Sequence, residues 1–290
     1  MRVLLTGATG FVGSHVLPLL EGHEVVCCSR DPARLPARSG MQAISADLKT
    51  EGDWVRVIAE FRPEWCFHLA WEGLPDYSLE RCRANLDASI RLLRCVAQSG
   101  VRRVVVAGSC FEYGAVSGAV SEDRTPIESS IFAATKRALL TVLDSVARQS
   151  SFEYRWARIF FVYGPRQRQT SLIPHIRAAC RAGRAPEVRE PAAMQDFVHV
   201  EDVAAGLLAL AESGGPSGIF NLGTGQAASV AHVANLVAQY YGREPFFGSL
   251  PAGSGFWADT SKTSAVTGWR GRIDIRQGIE KTLAELDSVQ

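Results

Sequence analysis

Apolar residues in the first half of the chain fall in short unbroken runs separated by amphipathic stretches. Val3, Leu4 and Leu5, then residues 24–29, 41–46, 65–70 and 101–108, have the length and content of strands buried on both faces. Between them, residues 54–61 and 77–98 carry apolar side chains at helical spacing. The second of these sets Leu86, Ile90, Leu93 and Val96 on one face and stops at Gly100. Strands alternating with helices predict parallel βαβ units with right-handed crossovers, hence an α/β, doubly wound parallel sheet. From residue 152 the pattern changes. Residues 153–160 continue the sheet, 172–183 read as a helix and 197–200 as a short strand. Residues 203–211 and 230–240 read as helices separated by the glycine-rich stretch 219–225. Residues 248–255 read as a flexible Gly/Pro/Ser segment, and 275–286 as a closing amphipathic helix with Ile275, Ile279, Leu283 and Leu286 on one face.

Gly7, Gly10 and Gly13 stand between the first strand and the helical spacing of Val16, Leu17, Leu19 and Leu20. A glycine triplet in that context predicts a dinucleotide site. Gly7 takes the tight turn, Gly10 admits a diphosphate to the backbone, and Gly13 lets the helix lie close. Phe11 and Val12 complete the turn, and the helix start offers unpaired N–H groups to the phosphates. At the end of the second strand, Ser29 and Arg30 are followed by Asp31 and Arg34. A guanidinium there suits the extra phosphate of NADP, whereas Asp31 would serve the ribose of NAD. The expectation is NADP, with NAD as the alternative. Asp47 and Leu48, and Leu69 and Ala70, follow later strands and face the same crevice, because ligands bind beyond the carboxyl ends of such strands. His68 lies inside an apolar run and reads as a satisfied core histidine.

Composition changes this picture little. In 290 residues, 31 Lys plus Arg balance 30 Asp plus Glu, so no basic excess points to nucleic acid or a membrane surface. No apolar run has membrane-spanning length, and the chain enters a strand with no leader pattern. Seven cysteines without Cys-x-x-Cys spacing and six histidines without metal spacing argue against a disulfide framework and a metal site. The expected location is the cytoplasm.

Several further motifs go together. These are Ser109 four residues before Tyr113-Gly114, Lys136 in the following helix, and Tyr163-Gly-Pro165. To them belong Asp196-Phe-Val-His-Val-Glu-Asp202 and Phe220-Asn-Leu-Gly-Thr-Gly225. With the glycine turn and His68-Leu-Ala70, they resemble the extended short-chain dehydrogenase/reductase family along nearly the whole chain. More particularly, they resemble its nucleotide-sugar epimerases, dehydratases and 4-keto reductases. The resemblance implies a Rossmann domain, mainly residues 1–165, and a small substrate lobe, mainly 166–290, with 197–225 returning to the Rossmann sheet. It implies a nucleotide-sugar substrate, and a homodimer joined by two long helices in which Leu92, Leu93, Leu139 and Leu140 serve either as contact or as core.

The resemblance further implies that Ser109 and Lys136 act with a tyrosine four residues before the lysine, on one helix face. The lysine holds the nicotinamide ribose and eases tyrosine ionisation, and the tyrosine exchanges a proton with the sugar oxygen. At that position this chain has Phe132. Three accounts are open: a replacement that traps substrate while preserving shape, a neighbouring donor (Glu112, Cys110 or Tyr113), or binding without turnover. Glu112 could also be a substrate ligand or a surface salt bridge. Cys110 and Phe111 stand where the dehydratases have Asp-Glu, which argues against water elimination. Phe161 replaces a common asparagine. Gln195 replaces an arginine that meets the substrate diphosphate, unless Arg166, Arg168, Arg189 or Arg270 substitutes. The implied reaction is NADPH-dependent reduction of a 4-keto-6-deoxy sugar nucleotide or C4 epimerisation. The alternative is a non-catalytic nucleotide or sugar-nucleotide binding protein.

Overall fold

A computed structural model describes residues 1–125, 130–251 and 253–288. The strands of the large sheet are β1 (Arg2–Thr6), β2 (Glu24–Ser29), β3 (Met41–Ser45), β4 (Trp65–His68) and β5 (Arg103–Ser109), joined later by β7 (Glu153–Ile159) and β11 (Gly218–Leu222). Their order is β11-β7-β5-β4-β1-β2-β3, and every neighbouring pair is parallel. The connecting helices are α1 (Gly13–Leu19), α2 (Asp53–Phe61), α3 (Leu79–Gln98) and α4 (Ile131–Ser150), with α6 (Val200–Glu212) following later. They cover both faces. In β1, Val3 and Leu5 join Val16 and Leu17 of α1 and Val203 and Leu207 of α6 on one side. Leu4 points the other way, into Trp54, Ile58, Leu92, Leu93, Leu139 and Leu143 of α2 to α4. Strand periodicity therefore divides one apolar run between two cores. Leu92, Leu93 and Leu139 are buried in that second core, which settles their role as packing within the chain.

The remaining elements follow β5 in the chain and include smaller sheets. They are β6 (Gly118–Val120), β8 (Phe161–Tyr163), α5 (Leu172–Arg181), β9 (Met194–Gln195), β10 (Phe197–His199), β12 (Ala228–Ser229), α7 (Val230–Tyr240), β13 (Gly255–Ala258), α8 (Ser261–Thr267) and α9 (Ile275–Ser288). Of these, α8 packs on β11 and α6. Strands β8 and β10 pair in parallel, and β12-β9-β13-β6 form a four-stranded sheet. Helices α5, α7 and α9 share a core of Ile173, Ile176, Val233, Val237, Ile279 and Leu283. One expectation needs correction. The stretch 219–225 is not simply a separator, since most of it belongs to β11. Among its described residues, the segment 248–255 has no regular structure before Gly255, where β13 begins and pairs with Met194 of β9; Ala252 lies outside the described residues.

Asp196 ties several of these segments together. Its carboxylate is buried and accepts from the backbone N–H groups of Thr224, Gly225 and Ala258, and from Thr224 Oγ1 at 2.6 Å. Asp202 does the same for Arg272 and Ile273. The motif that contains both residues therefore joins four chain segments, and its acids are structural.

Candidate active site

The strand order reverses between β1 and β4, leaving a crevice at the carboxyl ends of the sheet. A cavity of about 400 Å³ lies on the β2–β3 side and includes Gly7, Ser29, Arg30, Asp47, Leu48 and Ala70 in its wall. A second, of about 640 Å³, lies on the β4–β5 side and shares Gly7, Gly10, Leu69 and Trp71 with the first. Phe11, Val12, Gly13, Ser109, Phe132 and Lys136 belong to it. Together they form one groove crossing the glycine turn.

The glycines are required there by contact. Gly7 has φ +77°, and a Cβ on it would stand 2.7 Å from the backbone nitrogen of Ala70. A Cβ on Gly13 would lie 2.1 Å from the carbonyl oxygen of Gly7. The turn is packed against the β4 loop behind and the helix above, which leaves its front open to a diphosphate. This cradle fits a dinucleotide.

At the mouth of the smaller cavity, Arg30 Nη1 lies 2.9 Å from Glu72 Oε1, and Lys49 and Arg81 approach the same carboxylate at 3.1 and 3.3 Å. Lys49, Glu72 and Arg81 escaped the sequence reading, because their partnership joins separate loops. Asn85 holds this loop to α3: its Oδ1 accepts from Glu72 N, and its Nδ2 donates to Glu72 O. His68 behind it is buried and doubly bonded, at 2.8 Å to Thr6 Oγ1 and 2.9 Å to Ser89 Oγ. Ser89 donates its own proton to Asn85 O, so His68 Nε2 is the donor to Ser89 and Nδ1 the acceptor from Thr6. Burial pushes its pKa down to about 3, so this imidazole is neutral.

Lys136 stands one turn after Phe132 on α4, and its buried Nζ donates to Ala107 O at 2.8 Å. The ammonium also lies 3.9 Å from the centre of the Trp71 ring. Burial lowers its pKa to about 8, against which Glu112 pulls upward. Phe132 is packed between Trp71 and Tyr77, at ring separations of 5.4 and 5.1 Å. Tyr77, read from the sequence as the start of the helix 77–98, lies just before α3, which is capped by Ser78 and begins at Leu79; neither it nor Trp71 was singled out as a site residue.

The expectation for Glu112 is corrected. Its carboxylate has no exposed surface; it accepts from Ser109 N at 2.7 Å and Trp156 Nε1 at 2.9 Å, and pairs with Arg158 Nε at 3.0 Å. It faces the interior of the sheet, so it is neither an acid in the cleft, nor a substrate ligand, nor a surface bridge. Gly108 makes room, since a Cβ there would stand 2.3 Å from Trp156 Nε1. Through its bond to Ser109 N, Glu112 positions the serine. The two other nominated donors also lead away from proton exchange. Tyr113 is buried and donates to Asn221 Oδ1 at 2.6 Å, with its pKa raised by burial to about 12. Burial likewise pushes the Cys110 thiol far up.

Cys110, Phe111, Phe161 and Gln195 line the larger cavity together with Ser109. Phe111 meets Phe161 edge-on at 5.9 Å, giving an apolar wall. Among the four candidate replacement arginines, Arg166 and Arg168 line this cavity. Arg189 is exposed elsewhere, and Arg270 donates to Ser264 Oγ on the surface. A third cavity, of about 710 Å³, adjoins at Phe197 and contains Arg272, Gln226 and His232. Arg272 is a cation that spacing alone did not single out. Among the described residues, no group of three or more His, Cys, Asp or Glu is arranged to hold a metal, and no helix is long and apolar enough to cross a membrane.

Comparison with known proteins agrees with this geometry. A UDP-glucose 4-epimerase of Mycolicibacterium smegmatis is 29% identical, over 98% of this chain and 97% of its own. A probable UDP-glucuronate 4-epimerase of Rhizobium meliloti is 24% identical over 97% and 95%. The solved structure of MoeE5 in complex with UDP-glucuronic acid and NAD superposes with a TM-score of 0.88 and 32% identity, covering both chains completely. Residues 3–223 match the NAD dependent epimerase/dehydratase family, to which this chain therefore belongs.

Proposed function

We propose that this protein is an NAD-dependent 4-epimerase of a UDP-hexose or UDP-hexuronate. The observation that carries the reading is the convergence of Ser109 and Lys136 on the cavity that continues from the glycine turn. In this reading the adenosine half of NAD occupies the smaller cavity. The nicotinamide and sugar share the larger one, and the uridine extends past Phe197 towards Arg272. NAD replaces the NADP expected from the residues after β2. Arg30 is engaged by Glu72, and MoeE5, at 32% identity, was solved with NAD. The dinucleotide, when bound, supplies the acceptor and donor of hydride. Lys136 binds its ribose, and Ser109 donates a hydrogen bond to the sugar oxygen as charge develops there. Arg166 and Arg168 are the cations at hand for the diphosphate or for a C6 carboxylate.

The test is incubation with NAD and either UDP-glucose or UDP-glucuronate, with the C4 epimers resolved by proton NMR. A parallel assay follows NADPH oxidation with a 4-keto-6-deoxy sugar nucleotide. Formation of the C4 epimer supports the proposal, whereas NADPH oxidation without it supports the reductase. Calorimetric binding with neither turnover favours the non-catalytic reading, to which Phe132 points. A homodimer is part of the proposal, and sedimentation equilibrium checks it.

A further inference from the structure

The missing group at Phe132 is a phenol hydroxyl, so the other phenols are the natural place to look for its replacement. The chain has six tyrosines. Tyr113 gives its hydroxyl to Asn221, Tyr154 to Asp144, Tyr163 to the carbonyl of Ile275 and Tyr241 to Asp287. Tyr240 sits at the end of α7 against Tyr241, outside the groove. Tyr77 differs from all of these. It lines the cavity that holds Ser109, Phe132 and Lys136, it is 41% exposed, and among the described residues its hydroxyl has no intramolecular partner. Its ring leans on Phe132 at a centroid distance of 5.1 Å, tilted by 56°.

The local chain holds it there. Ser78 caps α3 by accepting from Arg81 N, and Asp76 Oδ1 accepts from Ser78 N at 2.9 Å. Tyr77 thus sits between two residues fixed by the start of a 20-residue helix. The other titratable neighbours are committed elsewhere: Glu112 to Arg158, Lys136 to Ala107 O and the Trp71 face, and Cys110 to the interior.

We propose that Tyr77 is the catalytic acid/base, reaching the sugar oxygen across the ring of Phe132. The proposal rests on the epimerase reading. Tyr77 Oη takes the proton of the C4 hydroxyl while its own phenol proton passes to the solvent that its exposed position reaches: the sugar O–H bond breaks and a new Oη–H bond forms. A bound nicotinamide dinucleotide would supply the hydride acceptor for the C4–H bond that breaks as the ketone forms. In the reverse half-reaction, for which the dinucleotide would supply hydride to the opposite face, Tyr77 Oη gives the proton back to the sugar oxygen and regains its own from solvent, so the epimer forms and the phenol is restored. Phe132 then serves as a spacer that keeps the position beside Lys136 dry.

The experiment compares the full-length wild type with Tyr77→Phe, Phe132→Tyr and the double variant. Tyr77→Phe is expected to lower kcat by about a hundredfold or more with KM nearly unchanged, the range of a lost general acid/base. The double variant should recover turnover, because it returns a phenol to the lysine's helix face. A second readout needs no turnover: nitration of the tyrosines, mapped by mass spectrometry, with and without NAD plus UDP. Tyr77 should be modified in the free protein and protected in the loaded one. Turnover by Tyr77→Phe within about twofold of wild type overturns the proposal, as does nitration of Tyr77 that loading leaves unchanged. If the wild type epimerises no UDP-sugar, the functional reading fails, and protection of Tyr77 still decides whether it borders the bound ligands.

Discussion

Oε2 of Glu112 lies 3.0 Å from Nε of Arg158, and both side chains are buried beneath the serine that ends β5. The pair is 46 residues apart in sequence and joins the turn after β5 to β7. Arg158 also stacks over Tyr113 at 4.3 Å. The acid that sequence reading placed in the cleft is therefore part of its foundation.

Removing one member of such a pair leaves the other charged and buried. Glu112→Ala should destabilise the fold by about 3–5 kcal/mol, as measured by urea denaturation. Glu112→Gln should be milder and should keep the shape of the wild-type pH–rate profile. Loss of one limb of that profile in Glu112→Gln would restore the carboxylate to the chemistry.

Gly13→Ala places a methyl group 2.1 Å from Gly7 O, against backbone that has no rotamer with which to yield. The helix must lift from the turn, and NAD affinity by calorimetry should fall by about tenfold or more, a loss of about 1.4 kcal/mol or greater. Normal NAD binding by the Gly13→Ala variant would refute the cradle.

Lys136 has its pKa lowered from 10.5 to about 8 by burial. The cation is full below that value and is lost as pH rises through it, so NAD binding should weaken above about pH 8. Stability moves the other way. The unfolded chain keeps this proton up to its higher pKa, so unfolding takes up a proton between about 8 and 10.5, and stability rises with pH across that window. Lys136→Met should abolish both trends, as followed by calorimetry and denaturation over the same pH range.

His68 and His199 are buried neutral, with pKa values lowered from 6.5 to about 3 and about 4 by burial. Their contribution to stability is complete above 6.5 and is lost as pH falls towards those values, because the unfolded chain takes up the protons first. Denaturation midpoints should drop between pH 6.5 and 4, and His68→Asn should reduce that slope. A slope unchanged in the variant would assign it to His199 and the carboxylates.

Much of this architecture is written locally. Val3 to Leu5 form a strand because alternate residues find two apolar faces, and Phe132 and Lys136 share a helix face by their spacing of four. The second sheet was not legible. Strands β9 and β12 have two residues each, too few to display a period, and their pairing is set by Asp196 and by β13.

The sequence by itself determined the parallel βαβ order, the glycine turn and the shared helix face of Phe132 and Lys136, since each follows from spacing within one element, but not the groove residues Lys49, Trp71, Glu72 and Tyr77. Tertiary structure alone decided which way the side chains of the groove face. It turned Glu112 inward to Arg158, drew Arg30 to Glu72 and set Tyr77 against Phe132. The physical reason is that a charge or a ring takes its direction from the partner that compensates its desolvation, and those partners come from distant segments that only folding brings near.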